Sequence, residues 1–511
     1  MKAANRVIFN TGIVYIQLLL GIIIGLFSTR IVLNALGEED YGIYVLVAGV
    51  IGLLNILGSN MANASMRFMS HSLGTGDNEK ILKTFNTLLF IHFILGGIII
   101  LLLEIGGWFM FEYFLNIPIE KMFAAKIVFH CMVFSTFVAV VSVPYDAVMN
   151  AHENLLMLSI VRIFGNVLNL AAALLLLYIT SNLLIVYGAC MMFNQILLRL
   201  IKQMYSKKKY KECKIRFKNY RDTQLTKSIL SYTVWSFFGS LASMASNQIR
   251  DILINVFFGV KVNAATGISQ TAGSKVNLVA VGLTQAINPQ LMKSEGANNR
   301  QKMLKLTGAS TKFSTFLFAL FAIPLILEAN FILQLWLKNV PAYAIIFFQL
   351  TLLIMLIEKF TFHIGDAIRA VGNIRNFQII EAFTILLGLP ISYFIFKKGG
   401  SPISIYVVNL IMYGFTALVR LYFGKKVAGL QIKEYFKKSI FPVLMPLMAA
   451  TILSYIVFFN MNIGFIRLII VFLLFIATFT ALFWVLGINK EEKNIIKNLI
   501  ISIKLKIWKR H

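Results

Sequence analysis

The sequence predicts an all-α polytopic membrane protein, with about fourteen transmembrane helices in two six-helix bundles and a final pair. Of its 511 residues, 58% are hydrophobic and only 14% are charged, whereas a soluble chain carries about 25% charged residues. Apolar runs of about 20 residues, the length that crosses the hydrocarbon of a bilayer, recur along the whole chain. Every second connection between these runs is rich in Lys and Arg, and these connections together hold about five times as many of the two residues as the others.

The predicted spans follow one another with short connections. The first apolar run is too long for the core of a signal peptide and lacks a small-residue cleavage site, so we expect it to be retained as a helix. Numbered 1 to 14, the expected spans are residues 8–33, 42–68, 84–111, 123–149, 157–179, 183–203, 228–258, 263–292, 308–328, 342–368, 376–396, 402–423, 440–460 and 463–486.

The distribution of charge predicts the orientation. Cytoplasmic loops carry an excess of Lys and Arg, which places both chain ends in the cytoplasm of a multi-pass protein of the inner or plasma membrane. The net charge of +27 does not indicate nucleic-acid binding, because the basic residues lie in short loops between apolar runs. Anionic phospholipids are the expected partner of these loops.

The connections also divide the chain into predicted domains. The longest inner loop contains YSKKKYKECKIRFKNYR and is expected to be a basic linker on anionic lipid, with a regulatory site as the alternative. The predicted domains are an N-terminal bundle at 1–205, this linker at 206–226, a C-terminal bundle at 227–424, a basic loop at 425–439, the last two helices at 440–486 and a basic tail at 487–511.

An internal repeat relates the two bundles. Residues 28–46 read STRIVLNALGEEDYGIYVL, and residues 248–270 read QIRDILINVFFGVKVNAATGISQ. With a longer turn in the second copy, the matched pairs are Arg30 with Arg250, Gly37 with Gly259 and Gly42 with Gly267. Duplicated halves in transporters place the substrate site at their interface, near the bilayer midplane.

These segments resemble a known family. STRIVLNALGEEDYGIYVL resembles the first-hairpin motif of the polysaccharide and O-antigen flippases of the multidrug/oligosaccharidyl-lipid/polysaccharide (MOP) exporter superfamily. VPYDAVMNAHENLLMLSIVRI, residues 143–163, is similar to that family's connection between helices four and five. The length of the chain and its predicted organisation of six, six and two helices agree with that family over the whole chain. The resemblance implies a MATE-like fold of two bundles around a V-shaped cavity, alternating access, and a lipid-linked oligosaccharide as cargo.

Polar stripes on four spans indicate a shared wet cavity. In span 7, polar residues recur at steps of three and four and therefore share one helical face, with Asp251 at its edge. Interhelical hydrogen bonding is the alternative for any single stripe. The candidate substrate-binding residues of the cavity are Arg30, Arg67, Arg162, Asn247, Arg250, Asp251, Lys275 and Asn277.

Arg250 and Asp251 are charged residues at predicted bilayer depth, where a charge costs a few kcal/mol or more. A guanidinium offers two donors to a phosphate and stays charged at any working pH. We therefore predict that Arg250 binds a lipid pyrophosphate and that Asp251 lowers the cost of burying Arg250 without the anion. The alternatives are a structural Arg250–Asp251 pair, or Asp251 paired with Lys275. Arg30 lies near the outer membrane interface, and the alternative for it is that its side chain only snorkels toward water.

Span 10 contains IEKFTFHIGDAIRA, residues 357–370, in which Lys359, His363 and Asp366 share a face and Glu358 adjoins it. His titrates near neutral pH, and carboxylates inside the membrane mark ion paths. These four residues are therefore candidates for coupling transport to H⁺ or Na⁺, with a structural salt-bridge cluster as the alternative. Arg467 in span 14 stands alone and is expected to pack or to snorkel.

The resemblance implies a flippase rather than an enzyme. Its cargo is a polyprenyl-pyrophosphate oligosaccharide for O-antigen, capsule or exopolysaccharide synthesis, and polysaccharide polymerase or other biosynthesis proteins are expected partners. The sequence has no HExxH, GxSxG, P-loop or metal-spaced His/Cys cluster, so no cofactor is expected apart from a coupling ion. The rival functions are a cation-coupled multidrug exporter of the MATE type and a membrane-embedded glycan polymerase or glycosyltransferase.

Overall fold

The described part of the chain is almost entirely helical. The computed structural model describes residues 3–52, 55–113, 117–180, 182–215, 222–337 and 339–494. These residues form fifteen α-helices and no β-strand, which confirms the predicted all-α class. The helices, labelled α1 to α15, are Ala3–Gly52, Asn55–Thr75, Asn78–Tyr113, Ile119–Ala151, Leu155–Leu175, Leu183–Lys209, Thr223–Gly296, Arg300–Leu327, Ala329–Leu337, Ala344–Val371, Arg375–Lys397, Ile403–Ala428, Ile432–Tyr435, Phe441–Asn460 and Phe465–Leu482.

The helices agree with the predicted spans in place but not always in number. Within the described residues, eleven helices are long and apolar enough to cross a membrane, so the count of fourteen spans is not confirmed. Span 1 and the start of span 2 form the single helix α1, and spans 7 and 8 form α7, which has 74 residues. The short α9 lies between spans 9 and 10, where no helix is predicted.

Two glycines kink the long helices α1 and α7 at matching points of the repeat. Gly37 has φ 76° and ψ 172°, and Gly259 has φ 81° and ψ −179°. This backbone conformation is open almost only to glycine, because a Cβ atom would clash with the adjoining peptide groups. The predicted match of Gly37 with Gly259 therefore has a conformational basis, since both copies of the repeat use the same kink.

When the two helices are compared at their kinks, Arg30 and Arg250 do not occupy equivalent positions. Arg30 precedes its glycine by seven residues and Arg250 by nine, and two residues turn a helix by about 200°. Arg30 is accordingly exposed, as is Ile252, seven residues before the second glycine. Arg250 is buried, as is Ser28, nine residues before the first. The two arginines thus lie on opposite faces of equivalent helices.

Replacing either kink glycine by alanine is expected to destabilise the folded protein by about 1–3 kcal/mol. Beyond the adjoining backbone, no heavy atom lies within 4 Å of a Cβ built at Gly37 or Gly259, so the cost comes from backbone conformation alone. Gly42→Ala and Gly267→Ala are matched controls, because their surroundings are equally open and their φ is not positive. Unfolding midpoints in detergent measure the difference; equal losses in the controls would contradict this explanation.

The chain forms two compact units. The first contains Asn10–Phe237 together with Met292–Asn298, and the second contains Phe238–Leu291, the chain from Asn299 onward and the start of α1. In the first unit, α4 packs against α2, α3 and α6. The core between these helices and the second half of α1 includes Ile43, Met61, Leu103, Val128 and Leu184.

In the second unit, the last two long helices, α14 and α15, pack against α8. Their shared core contains fully buried aromatic and aliphatic side chains from all three helices. These are Phe318, Ala319, Ala322, Val443, Ala450, Phe475 and Phe479. The final pair is therefore an integral part of the second unit.

Two ion pairs strengthen this packing, one of them fully buried. Arg467 on α15 donates two hydrogen bonds of 2.8 Å to the carboxylate of Glu328, which follows α8, and both side chains are buried. Lys312 on α8 pairs with Glu492, beyond α15. The expectation that Arg467 only packs or snorkels is wrong, because a partner 139 residues away meets it once α15 packs on α8.

The first residues of the predicted linker pack against protein. His152, in the turn after α4, stacks on Tyr210 with ring centroids 4.3 Å apart, and its Nε2 is hydrogen-bonded to Glu212. Tyr210 and Cys213 are buried. Burial raises the pKa of Glu212, but hydrogen bonds with His152 and the backbone, together with the electrostatic interaction with His152, leave that pKa below its usual value. This stretch therefore contacts the first unit, whereas the sequence predicts a linker on lipid.

Candidate functional site

Arg250, on α7 before the Gly259 kink, is the centre of a polar group in the second unit. Only 5% of its surface is exposed. Its Nε and one terminal nitrogen donate to Oδ1 of Asp251, at 3.1 and 2.9 Å. The other terminal nitrogen donates to Oδ1 of Asn247 at 3.1 Å. A step of three residues places Asn247 and Arg250 on one face, as the sequence predicts.

A further partner reaches Arg250 from beyond the kink in α7. With its amide oxygen turned toward the guanidinium, Gln270 accepts hydrogen bonds from both terminal nitrogens, at 2.9 and 3.0 Å. The ring of Tyr406, on α12, lies 5.8 Å from the guanidinium carbon. Gln270 belongs to the polar stripe of span 8, but its contact with Arg250 arises from the chain direction that Gly259 imposes.

Arg250 has one charged partner, Asp251, and two neutral acceptors. Asn247 and Gln270 accept hydrogen bonds without cancelling the charge. The carboxylate that does so, Asp251, has 35% of its side chain exposed, and Asn247 is exposed as well. An anion approaching this exposed edge would meet a guanidinium whose amide partners it can replace, with charge-assisted hydrogen bonds in return.

Two candidates from span 8 lie outside this group. Lys275 is exposed, and among the described residues it has no ion pair with Asp251, whose partner is Arg250. The alternative that pairs Asp251 with Lys275 is therefore wrong. Asn277 is half-buried, and its Oδ1 has no hydrogen-bond partner in the described part of the chain.

The candidates of the first unit have aromatic or amide neighbours. Arg67 on α2 is buried, with its guanidinium 4.5 Å from the ring of Phe68 and 5.2 Å from that of Tyr232. Arg162 on α5 is exposed and donates to Gln17 on α1 at 3.3 Å. Cation–π contact and an amide acceptor do not cancel the charge of a guanidinium, although the carboxylate of Glu295 also interacts electrostatically with Arg67. Arg67 and Arg162 thus remain predicted cavity residues.

The ion-coupling candidates on α10 separate into two groups. In the first, Nδ1 of His363 lies 3.0 Å from Asp366, and Nε2 lies 3.0 Å from the hydroxyl of Ser314 on α8. Arg369 donates to the other oxygen of Asp366 at 3.1 Å. Ser314, His363 and Asp366 are all buried. This group therefore combines a titratable ring with a carboxylate that already has a cationic partner.

Glu358 belongs to a second group. It accepts from Arg420 on α12 at 3.4 Å, and Arg420 donates to Glu381 on α11 at 2.7 Å. Lys359 is 6% exposed, and its ammonium lies 5.8 Å from the ring of Phe318 on α8, the helix that also provides Ser314 to His363. The single predicted cluster is thus divided, because Glu358 and its neighbour Lys359 face different helices.

Known proteins match both the sequence and the fold. The sequence matches the model of a family described as polysaccharide biosynthesis protein over residues 4–293, more than half of the chain. The chain belongs to the polysaccharide biosynthesis protein family. A search of curated proteins finds no match.

Solved structures similar to this chain include transporters of the MOP superfamily. A multidrug resistance MATE family transporter in an outward-facing conformation has a TM-score of 0.70 and 13% identity, over 84% of this chain and 96% of that chain. A MATE structure in the bent conformation has a TM-score of 0.73 and 14% identity, over 85% and 99%. A MOP superfamily transporter from Pyrococcus furiosus has a TM-score of 0.68 and 13% identity, over 84% and 96%. These similarities show a MATE-like fold and, with the apolar helices, a multi-pass membrane protein.

The sequence analysis did not single out two charged residues, Glu381 and Arg420. They form a buried ion pair between α11 and α12, and 39 residues separate them in the chain. The signal that could have found them is the presence of one charged residue inside each apolar span, which usually marks an interior position with a partner.

The ion-coupling hypothesis predicts that Asp366→Asn weakens the response of transport to a collapsed proton or sodium gradient. The amide removes the negative charge that faces His363, and His363→Gln is expected to act in the same direction. Glu434→Gln is the control, because it removes an exposed carboxylate that is not among the coupling candidates. Uptake into vesicles with imposed gradients provides the measurement. An unaltered gradient dependence in both variants would assign His363 and Asp366 to structure.

Proposed function

We propose that this protein is a flippase, which moves a polyprenyl-pyrophosphate-linked oligosaccharide from the cytoplasmic to the outer leaflet by alternating access. The cargo would supply the assembly of a surface polysaccharide such as O-antigen, capsule or exopolysaccharide. The observation that carries the proposal is Arg250, a buried guanidinium in a polysaccharide biosynthesis family member, whose counter-ion Asp251 is partly exposed and whose other hydrogen-bond partners are neutral amides.

The chemistry of the cargo supports this role for Arg250. A pyrophosphate must keep its charge while it crosses an apolar layer, and a fixed cation offsets part of its desolvation. Guanidinium suits this task because its planar fork donates two parallel hydrogen bonds to phosphate oxygens and is weakly hydrated. Phosphate oxygens would replace the amide oxygens of Asn247 and Gln270 as acceptors for the terminal N–H groups of Arg250.

Asp251 is proposed to be the resting counter-ion. It pairs with Arg250 at 2.9 Å, and its partly exposed carboxylate has access to water. When the pyrophosphate binds, Asp251 turns toward water and the phosphate oxygens replace it. Arg250 then stays paired in both states, which avoids the large cost of a buried, unpaired charge.

A reconstituted vesicle assay tests the function. The purified protein is placed in vesicles that contain anionic phospholipid and a fluorescent disaccharide on a short polyprenyl pyrophosphate, and quenching by an impermeant reagent reports on leaflet exchange. We expect faster exchange than in protein-free vesicles. The same disaccharide on a neutral polyprenol, which lacks the anion for Arg250, is expected to stay slow.

The same vesicles separate the proposal from its main rival. A multidrug exporter of the MATE type would move a lipophilic cationic dye against its gradient, whereas the flippase would leave the dye distribution unchanged. Dye transport together with glycan-lipid exchange at the protein-free rate would overturn the flippase proposal.

A further inference from the structure

The repeat extends into the ends of α2 and α7. The end of α2 continues as HSLGTGDNEKI from residue 71, and the end of α7 as KSEGANNRQKM from residue 293. In this alignment Gly74 matches Gly296. Two positions later both copies have a left-handed residue, Gly76 with φ 73° and Asn298 with φ 55°. The two connections therefore share a backbone conformation as well as a sequence pattern.

The helix caps that follow are matched too. The side chain of Asp77 accepts hydrogen bonds from the backbone N–H groups that open α3, at 2.9 and 3.2 Å. The side chain of Asn299, the next residue after Asn298, accepts from the backbone N–H of Lys302 at 3.0 Å in α8. Each copy thus ends one helix and starts the next in the same way.

The ends of α2 and α7 touch each other through Gly74 and Gly296, a contact that we call the glycine crossing. A Cβ atom at position 74 would lie 2.2 Å from the backbone oxygen of Lys293, and one at position 296 would lie 2.0 Å from that of His71. His71 and Lys293 are themselves matched in the repeat, so the contact is reciprocal. All four residues belong to the first compact unit.

Several of the buried residues beside the glycine crossing are polar. Ser72, Ser294, Glu295 and Arg67 have exposed fractions of 3%, 5%, 9% and 8%, and Ser72 is hydrogen-bonded to Thr84 at 2.7 Å. A hydrogen-bonded polar group costs little when it is buried, and its hydration on opening avoids the penalty of exposing apolar surface to water. These polar residues therefore suit a surface that is alternately buried and hydrated.

We infer that the glycine crossing is a latch. It closes the transport path on the side where the connections between helices are rich in Lys and Arg, and it opens once in each transport cycle. The inference rests on the proposed transport function. Direct contact between backbones suits a latch, because glycine lets two helix ends approach closely with no side chain between them at the crossing point. The reciprocal match also explains why both positions lack a side chain: a methyl group on either one prevents closure.

Cysteine labelling tests the latch without any cargo. Ser294→Cys places a thiol at a buried position beside the glycine crossing, in a background with Cys131, Cys190 and Cys213 replaced by serine. Gly74→Ala is expected to raise the rate of maleimide labelling at least about tenfold, equivalent to about 1.4 kcal/mol against the closed contact. Gly97→Ala is the control, since a Cβ there has no neighbour within 4 Å. Equal labelling rates with and without Gly74→Ala would overturn the latch.

Crosslinking tests whether opening is needed for transport and leaves both glycines intact. Thr75→Cys and Ala297→Cys introduce matched, exposed thiols, and the backbone nitrogen of Ala297 lies 2.8 Å from a Cβ built at Gly74. We expect a crosslink to stop glycan-lipid exchange and its reduction to restore the rate. Full exchange by the crosslinked protein would refute the latch. Failure of the uncrosslinked protein to move glycan lipid would refute the proposed function instead, and the labelling result would still decide whether the contact opens.

Discussion

Arg250→Ala is expected to slow glycan-lipid exchange by about ten- to a hundredfold, while the amount of folded protein in the membrane is maintained. The range follows from losing hydrogen bonds to a charged group, worth about 1.5–3 kcal/mol, at about 1.4 kcal/mol per factor of ten. Arg250→Lys is expected to lose most of the rate as well, because it keeps the charge but not the fork that binds two phosphate oxygens. Initial exchange rates in vesicles, normalised to folded protein, measure the effect.

Asp251→Asn distinguishes an anion site from a structural pair. If Arg250 serves the cargo, Asp251→Asn loses the resting counter-ion and lowers the amount of folded protein, but exchange per folded protein largely survives, whereas that of Arg250→Ala does not. If the pair is only structural, exchange per folded protein is normal in both variants. Lys437→Ala, which removes an exposed positive charge, controls for the charge lost in Arg250→Ala. Normal exchange by Arg250→Ala at native abundance would end the anion-site hypothesis.

Arg467→Met is expected to have the largest effect on stability, about 3–5 kcal/mol. It leaves the carboxylate of Glu328 fully buried and without the two 2.8 Å hydrogen bonds that Arg467 donates. The double variant Arg467→Met, Glu328→Leu should recover most of the loss, because apolar side chains of similar volume often replace a buried pair at little cost. Unfolding midpoints in detergent, combined as a double-mutant cycle, give the coupling energy.

An exposed pair provides the matched control. Lys438 and Glu434 form a 2.7 Å ion pair, but their side chains are 69% and 57% exposed. Lys438→Met is therefore expected to cost at most about 1 kcal/mol. A similar cost for Lys438→Met and Arg467→Met would contradict the argument from burial, and additive effects of the two changes at Arg467 and Glu328 would contradict their pairing.

Much of this architecture follows from local sequence. Apolar length and low charge predict helices that cross a membrane, because backbone groups in lipid must be satisfied within the segment. Gly37 and Gly259 could be matched because a kink of this conformation requires glycine wherever it occurs. The proximity of Asn247 to Arg250 was predictable for a similar reason: residues three apart on a helix are neighbours in any tertiary context.

The tertiary structure decided the contacts between helices. Arg467 meets Glu328, Arg420 meets Glu381, and Gly74 meets the backbone of Lys293, although long stretches of chain separate each pair. Spacing along the chain defines the face of one helix but not which helix packs against that face or at what height. Those choices depend on the summed packing of many side chains, so these contacts emerge only when the helices are assembled.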